Sequence, residues 1–167
     1  RTYEELVFSE ASTVDLTENF NKKDHYDAAI IIGGLHHCVN NLPAALKNIK
    51  DLLRPGGYLF VMEPNSDFIL DAIRSYWYSK DKYFDSDTEH ALSHESIYQI
   101  ARDDFEAVDL KYIGGPAYFM ILNSLIFRLP IRIKKWIGQP FFLIEYATSL
   151  LSGKHSSPVF LAKWRRK

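Results

Sequence analysis

Cysteine is nearly absent from this chain: Cys38 stands alone among 167 residues. A lone thiol closes no internal disulfide, which excludes the secreted disulfide-stapled scaffolds and fits a reducing compartment. Long apolar runs are missing as well, and nothing approaches the ~18 residues of a membrane-crossing helix. No charged-then-apolar leader follows Arg1, so no signal peptide is visible and a cytoplasmic setting is expected. No repeat or low-complexity tract interrupts the sequence. No GxGxxG opens a helix, which disfavours a nicotinamide-dependent oxidoreductase. His36, His37 and Cys38 are adjacent and therefore point in different directions, without the spacing of a zinc site, so no metal is expected. What is present, 47% apolar and 25% charged residues, is the mix of one globular domain with a proper core.

Acid is scarce in one part of the chain only. Residues 1–110 hold 10 Lys+Arg against 20 Asp+Glu, whereas residues 111–167 hold 10 Lys+Arg against a single acid, Glu145. The two parts, −10 and +9, sum to the net −1. Either the basic part faces an anionic partner, a membrane surface or a phosphorylated substrate, or the two parts attract each other within one fold. The basic tail 163–167 is too short to support nucleic-acid binding, and none is expected.

Along the chain, Leu6-Val7-Phe8 reads as a brief strand and residues 12–25 as a loop or frayed helix. Asp27 opens the run Ala28-Ala29-Ile30-Ile31-Ile32, which stops at Gly33-Gly34. Without polar alternation, that run predicts a strand buried on both faces of a parallel sheet. Asn40-Asn41-Leu42-Pro43 starts a helix, with Asn as cap and Pro in the first turn. Leu42, Leu46, Ile49 and Leu53 share one face of it. Arg54-Pro55-Gly56-Gly57 ends the helix, and Tyr58-Leu59-Phe60-Val61-Met62 forms a second strand closed by Glu63-Pro64-Asn65. Strand, helix, glycine turn and strand make a right-handed βαβ unit, so the class is α/β.

A helix is expected over 67–78 from Ile69, Ile73 and Tyr76-Trp77, and an acidic, turn-rich stretch over 80–92. Ser93 is placed to cap a helix over 94–102 with Ile97, Ile100 and Ala101 inward. His90 and His94 fall in a polar stretch and read as a solvated loop or a substrate contact. The period-two alternation of 105–110 predicts a strand, broken by Gly114-Gly115-Pro116, and 158–162 predicts the last one. Between them, 117–157 mixes large apolar residues with Arg128, Arg132, Lys134 and Lys135 around Trp136. That composition suits a helix in a membrane interface or a helical lid over the sheet end. Three segments follow: 1–116 as the core, 117–157 as an apolar and basic insert, and 158–167 as the last strand and tail.

Ligands of open α/β sheets bind at the carboxyl ends of the strands. That rule puts Gly33, Gly34, Leu35, His36, His37 and Cys38 on one rim and Glu63, Pro64 and Asn65 on the other. In its order of motifs the chain resembles the class I S-adenosylmethionine-dependent methyltransferases, a Rossmann-like fold. The matching residues are Tyr26-Asp27 before the first apolar strand, Leu35-His36-His37 after it, and Leu52-Leu53-Arg54-Pro55-Gly56-Gly57 leading into 58–62 and Glu63-Pro64. The likeness covers about residues 6–113 and 158–164. The insert has only a loose similarity to methyltransferases acting on lipid-linked or cell-surface glycan substrates.

The resemblance implies S-adenosylmethionine as cofactor and a small, lipid-linked or glycan-type acceptor. It implies cofactor contacts from Gly33, Gly34 and Leu35, with Glu10 and Ala11 near the adenine. His36 or His37 becomes the base for an oxygen acceptor, unless one packs under the helix and the other only shapes the pocket. The family's Gly-rich loop and ribose-binding acid have no counterpart here. The chain therefore reads as the carboxyl-terminal portion of a methyltransferase, starting near the family's third strand. In the family the fourth strand lies beside the first, followed by the fifth, the seventh and the sixth. A completing segment or a homodimer is expected to cover the fourth strand, whose apolar edge would otherwise lie open. Expected partners are an amphipathic or anionic small-molecule or lipid-linked substrate, with peripheral membrane contact through the insert. The alternative is a catalytically inactive methyltransferase-like binding domain.

Overall fold

The computed structural model describes residues 16–18, 23–80, 90–122 and 128–167. The strand expected at Leu6-Val7-Phe8 and the contacts expected of Glu10 and Ala11 lie outside them. The described elements run β1 (Tyr26–Ile32), a 3₁₀ segment (Leu35–Asn41), α1 (Leu42–Leu52), β2 (Leu53–Pro64), α2 (Asp71–Tyr78) and α3 (His94–Ala101). After these come β3 (Phe105–Ile113), a π-helical turn (Tyr118–Leu122), α4 (Ile131–Thr148), a 3₁₀ turn (Ser149–Leu151) and β4 (Val159–Arg166).

The βαβ unit forms as read. β1 and β2 pair in parallel, with Ile30 opposite Phe60 and Ile32 opposite Met62, and α1 makes the crossover. β4 returns antiparallel between β2 and β3, giving the order β1-β2-β4-β3. In the family's own strand numbers that is fourth, fifth, seventh and sixth, as the resemblance requires.

The helical stripe of α1 meets the sheet. Leu42, Leu46 and Ile49 are buried with Leu59 and Val61 of β2, Ile97 and Ala101 of α3, and Phe105, Phe160 and Trp164. Each side chain the size of Leu or Phe contributes ~1.5–3 kcal/mol when fully withdrawn from water. Trp164, completely buried, stacks obliquely on Tyr98 and Phe105.

Several expectations need correction. The run 28–32 is not buried on both faces among the described residues: Ala29 and Ile31 pack on the core, but Ile30 and Ile32 are each 71% exposed. The helices of the core cluster, α1 and α3, cover a single face of the sheet. Leu53 opens β2 instead of closing α1, and residues 54–57 continue the strand through Gly56, whose φ of +78° is a left-handed conformation suited to glycine. Asn41 makes no side-chain cap, because the 3₁₀ segment abuts α1 directly. Ser93 makes none either; its hydroxyl donates to Asp67 at 2.8 Å. Ile100 is exposed rather than inward. The tail at 163–167 is mostly strand, since Trp164 continues the inward alternation of β4. His94 is no loop residue: it is buried at the start of α3, and its Nε2 accepts the Trp164 indole N–H at 3.3 Å.

Candidate active site

Three strands end on one rim. β1 and β2 are parallel, and β3 shares their direction because both β2 and β3 run antiparallel to β4. The carboxyl ends at Ile32, Pro64 and Ile113 therefore lie on the same edge of the sheet.

At the first two tips the backbone ladder runs one step beyond β1, with Gly33 N–H donating to Met62 O at 2.8 Å. Gly33 has a φ of +59°, a left-handed conformation that turns the chain across the end of β2. A Cβ on Gly34 would stand 3.0 Å from the Ile31 side chain, so a larger residue there needs Ile31 to give way.

Glu63 fixes that turn. Its side chain is buried, yet one carboxylate oxygen accepts the amides of Gly34 at 2.8 Å and Leu35 at 2.7 Å. The other oxygen meets His36 Nδ1 at 2.7 Å. An ionised carboxylate can only accept, so Nδ1 carries a proton, and in the neutral imidazole the lone pair then lies on Nε2. Burial of a carboxylate is tolerated because three N–H groups converge on it.

His37 is exposed, and its ring lies 4.1 Å from that of His36 between centroids. The fold thus brings Gly33, Gly34, Leu35 and His36 together and tethers them to Glu63, while His37 lies outside that tether. Sequence reasoning gave Glu63 the part of a rim residue. The signal that could have found its role is an acid ending a buried strand beside a Gly-Gly turn, where unpaired amides need an acceptor.

The same rim continues across the molecule. Asn65 is fully buried; its amide donates to Lys154 O and Ser157 O at 2.7 and 2.8 Å, tying the return from the insert to the tip of β2. Arg74, 3% exposed, donates to Asn65 O and Pro158 O and pairs with Asp71. Beyond β3, a cavity of about 220 Å³ opens between Gly114-Gly115-Pro116 and the end of α4, lined also by Glu145, Thr148 and Ser152. Glu145 accepts the amides of Gly115 at 3.0 Å and Tyr118 at 2.9 Å. A neighbouring cavity of about 270 Å³ adds Phe142 and Tyr146. At ~4.8 Å per strand spacing, the tip of β3 lies two spacings, about 10 Å, from that of β2.

The charge asymmetry resolves in part within the fold. Arg165 pairs with Glu106, Arg166 with Asp24, and Lys154 with Asp67, each joining the basic part to the acidic one.

Strand order, crossover and a turn-bound rim together define a Rossmann-like α/β domain of the class I methyltransferase type. The chain belongs to the methyltransferase domain family, which it matches over residues 4–107. Its fold is similar to that of a SAM-dependent methyltransferase from Thermotoga maritima (TM-score 0.59, 16% identity, 92% of this chain and 62% of that one). It is also similar to a SAM-dependent methyltransferase from Archaeoglobus fulgidus (TM-score 0.53, 14% identity, 87% and 61%). In sequence it is 29% identical over 75 residues to a non-reducing polyketide synthase, pks11, of Talaromyces marneffei. That match takes in 42% of this chain and 3% of the synthase. The chain thus spans about three fifths of the two solved structures and a small part of the synthase. No helix among the described residues is long and apolar enough to cross a membrane.

Proposed function

We propose that this chain takes part in S-adenosylmethionine-dependent methyl transfer to an oxygen of an amphipathic, lipid-linked or glycan-type acceptor. The observation that carries the reading is the Glu63–His36 pair, which holds a basic imidazole nitrogen at the tips of β1 and β2. The residues present fit the cofactor. The rim segments 33–38 and 63–66 contain no Lys or Arg, and Glu63 is their only acid, so a sulfonium meets no like charge there. Gly33 and Gly34 offer bare backbone beside the exposed Ile32, a surface suited to a nucleoside. Gly33, Gly34 and Leu35 would hold the cofactor, with Glu10 and Ala11 toward its adenine. When bound, it supplies an activated methyl group.

The chain's own work is alignment and proton removal. Glu63 keeps the proton on His36 Nδ1, and Nε2 takes the proton of the acceptor hydroxyl. His37, exposed beside it, borders the acceptor's approach. The cavity against α4 holds the remainder of the acceptor about 10 Å away, with the apolar faces of Phe142 and Tyr146 and the hydroxyls of Thr148 and Ser152. Among the described residues no strand pairs with the outer edge of β1, and that edge is where a completing segment or a second copy would pair, extending the cofactor surface.

Calorimetric titration of the intact protein with S-adenosylhomocysteine tests the reading. Saturable binding that Gly34→Val abolishes is expected, as is a 10²–10⁴-fold fall in transfer for His36→Ala with cofactor affinity unchanged. Absence of cofactor binding would leave an inactive binding domain instead.

A further inference from the structure

The insert carries a surface built the wrong way round for water. On an ordinary surface helix the polar residues face out and the apolar stripe faces in. On α4 the outward line is Trp136, Leu143 and Tyr146, at 86%, 66% and 81% exposure, spaced by seven and then three residues. Leu150, 93% exposed, extends that line into the following turn. Two of its charged groups are turned inward instead: Glu145 caps the amides of Gly115 and Tyr118, and Lys134 Nζ donates to Ile121 O at 2.8 Å. An outward aromatic and aliphatic line of this length marks a surface made for an apolar partner.

The charge tells which partner. Glu145 is the only acid after residue 110, and it is occupied within the fold. Arg165, Arg166 and Lys154 are taken up by Glu106, Asp24 and Asp67, and Lys163 lies over the Tyr58 ring, whereas Arg132 and Lys135, both exposed, have no ion-pair partner among the described residues. They flank Trp136 on the first turns of α4.

We propose that α4 and the turn after it dock flat on an anionic lipid bilayer. Trp136 and Tyr146 sit at headgroup level, Leu143 and Leu150 reach the acyl boundary, and Arg132 and Lys135 meet lipid phosphates. A helix of 18 residues is ~27 Å long, and lying in the plane it needs no span. A second copy fits less well, because the only acid of α4, Glu145, is engaged within the fold, so a two-fold contact through this face offers Arg132 and Lys135 no acidic partner. The docking surface does not depend on the methyl-transfer reading. If both hold, the cavity beside α4 opens at the lipid–water boundary, where an amphipathic acceptor resides.

Co-sedimentation of the intact protein with phosphatidylcholine vesicles, with and without phosphatidylglycerol, tests the proposal. Binding is expected to need the anionic lipid and to weaken with salt. Arg132→Gln with Lys135→Gln should reduce it about 25-fold, or about fivefold for each cation. Trp136→Ala with Leu143→Ala, both on exposed sites that leave the fold intact by circular dichroism, should reduce it at least about tenfold. The indole emission should shift to the blue on binding, and Trp136→Phe should abolish that shift. Equal pelleting of the wild type and both double variants would overturn the proposal. So would concentration-dependent self-association that Trp136→Ala removes, without vesicle binding.

Discussion

Replacing Glu63 separates the structural from the chemical role of the rim. In Glu63→Ala three N–H groups lose their acceptor: Gly34 N, Leu35 N and His36 Nδ1, at 2.8, 2.7 and 2.7 Å. Leu35 is fully buried, so its amide finds no water, and leaving it unpaired costs toward the upper end of ~1–3 kcal/mol. Gly34 and His36 are partly exposed and recover some hydration, costing about 1 kcal/mol each. Relief of the buried carboxylate's own desolvation offsets part of that sum, so the net loss should be about 3 kcal/mol. It should be read from the urea midpoint at constant m-value.

Glu63→Gln keeps an oxygen toward the two amides and should cost only about 1 kcal/mol. Its NH₂ then faces His36 Nδ1 and must donate to it, so the imidazole proton moves to Nε2. Ring ¹⁵N shifts of His36 report that exchange directly, and transfer to a hydroxyl acceptor should fall 10²–10⁴-fold because Nε2 is no longer basic. An alanine variant as stable as the wild type would refute the structural half of this reasoning. A glutamine variant with the wild-type tautomer and undiminished transfer would refute the chemical half.

Burial lowers the pKa of His94 below its ordinary 6.5, and Lys154 adds to the shift while Glu95 and Asp67 oppose it. The folded state therefore resists protonating a group that the unfolded chain protonates below about 6.5. Stability should be full above that value and decline as pH falls from there toward the folded-state pKa; urea midpoints between pH 8 and 5 should show the decline, and His94→Phe should flatten it. Trp164→Ala should cost about 3–5 kcal/mol in the same assay, since it empties the centre of the core and removes the His94 partner. Gly57→Ala should cost about 1–3 kcal/mol: its Cβ would stand 2.9 Å from Arg54 O and 3.1 Å from Asp27 O, both backbone atoms with little room to move, and an unchanged melting temperature would count against this packing.

The order of residues was enough to specify the βαβ unit, the parallel pairing of β1 and β2, and the place of Gly33, Gly34, Leu35 and His36 at their tips. These rest on local rules: a β-branched run, an apolar helical stripe and glycines where the chain must turn. Local rules also put Leu42, Leu46 and Ile49 in the core. They misjudged Ile30 and Ile32, because burial of a strand's second face depends on what packs there, and α1 and α3 cover only one. They missed that Glu63, 27 residues beyond His36, selects the imidazole tautomer, since that depends on strand register. Polar surroundings in sequence hid His94, which tertiary packing buries against Trp164, 70 residues away. Composition left the insert open between a lid and an interfacial helix. Only the tertiary structure shows how α4 is rotated about its axis, with Glu145 turned in and Trp136 turned out, because periodicity alone cannot say which way a helix faces when both its sides are apolar.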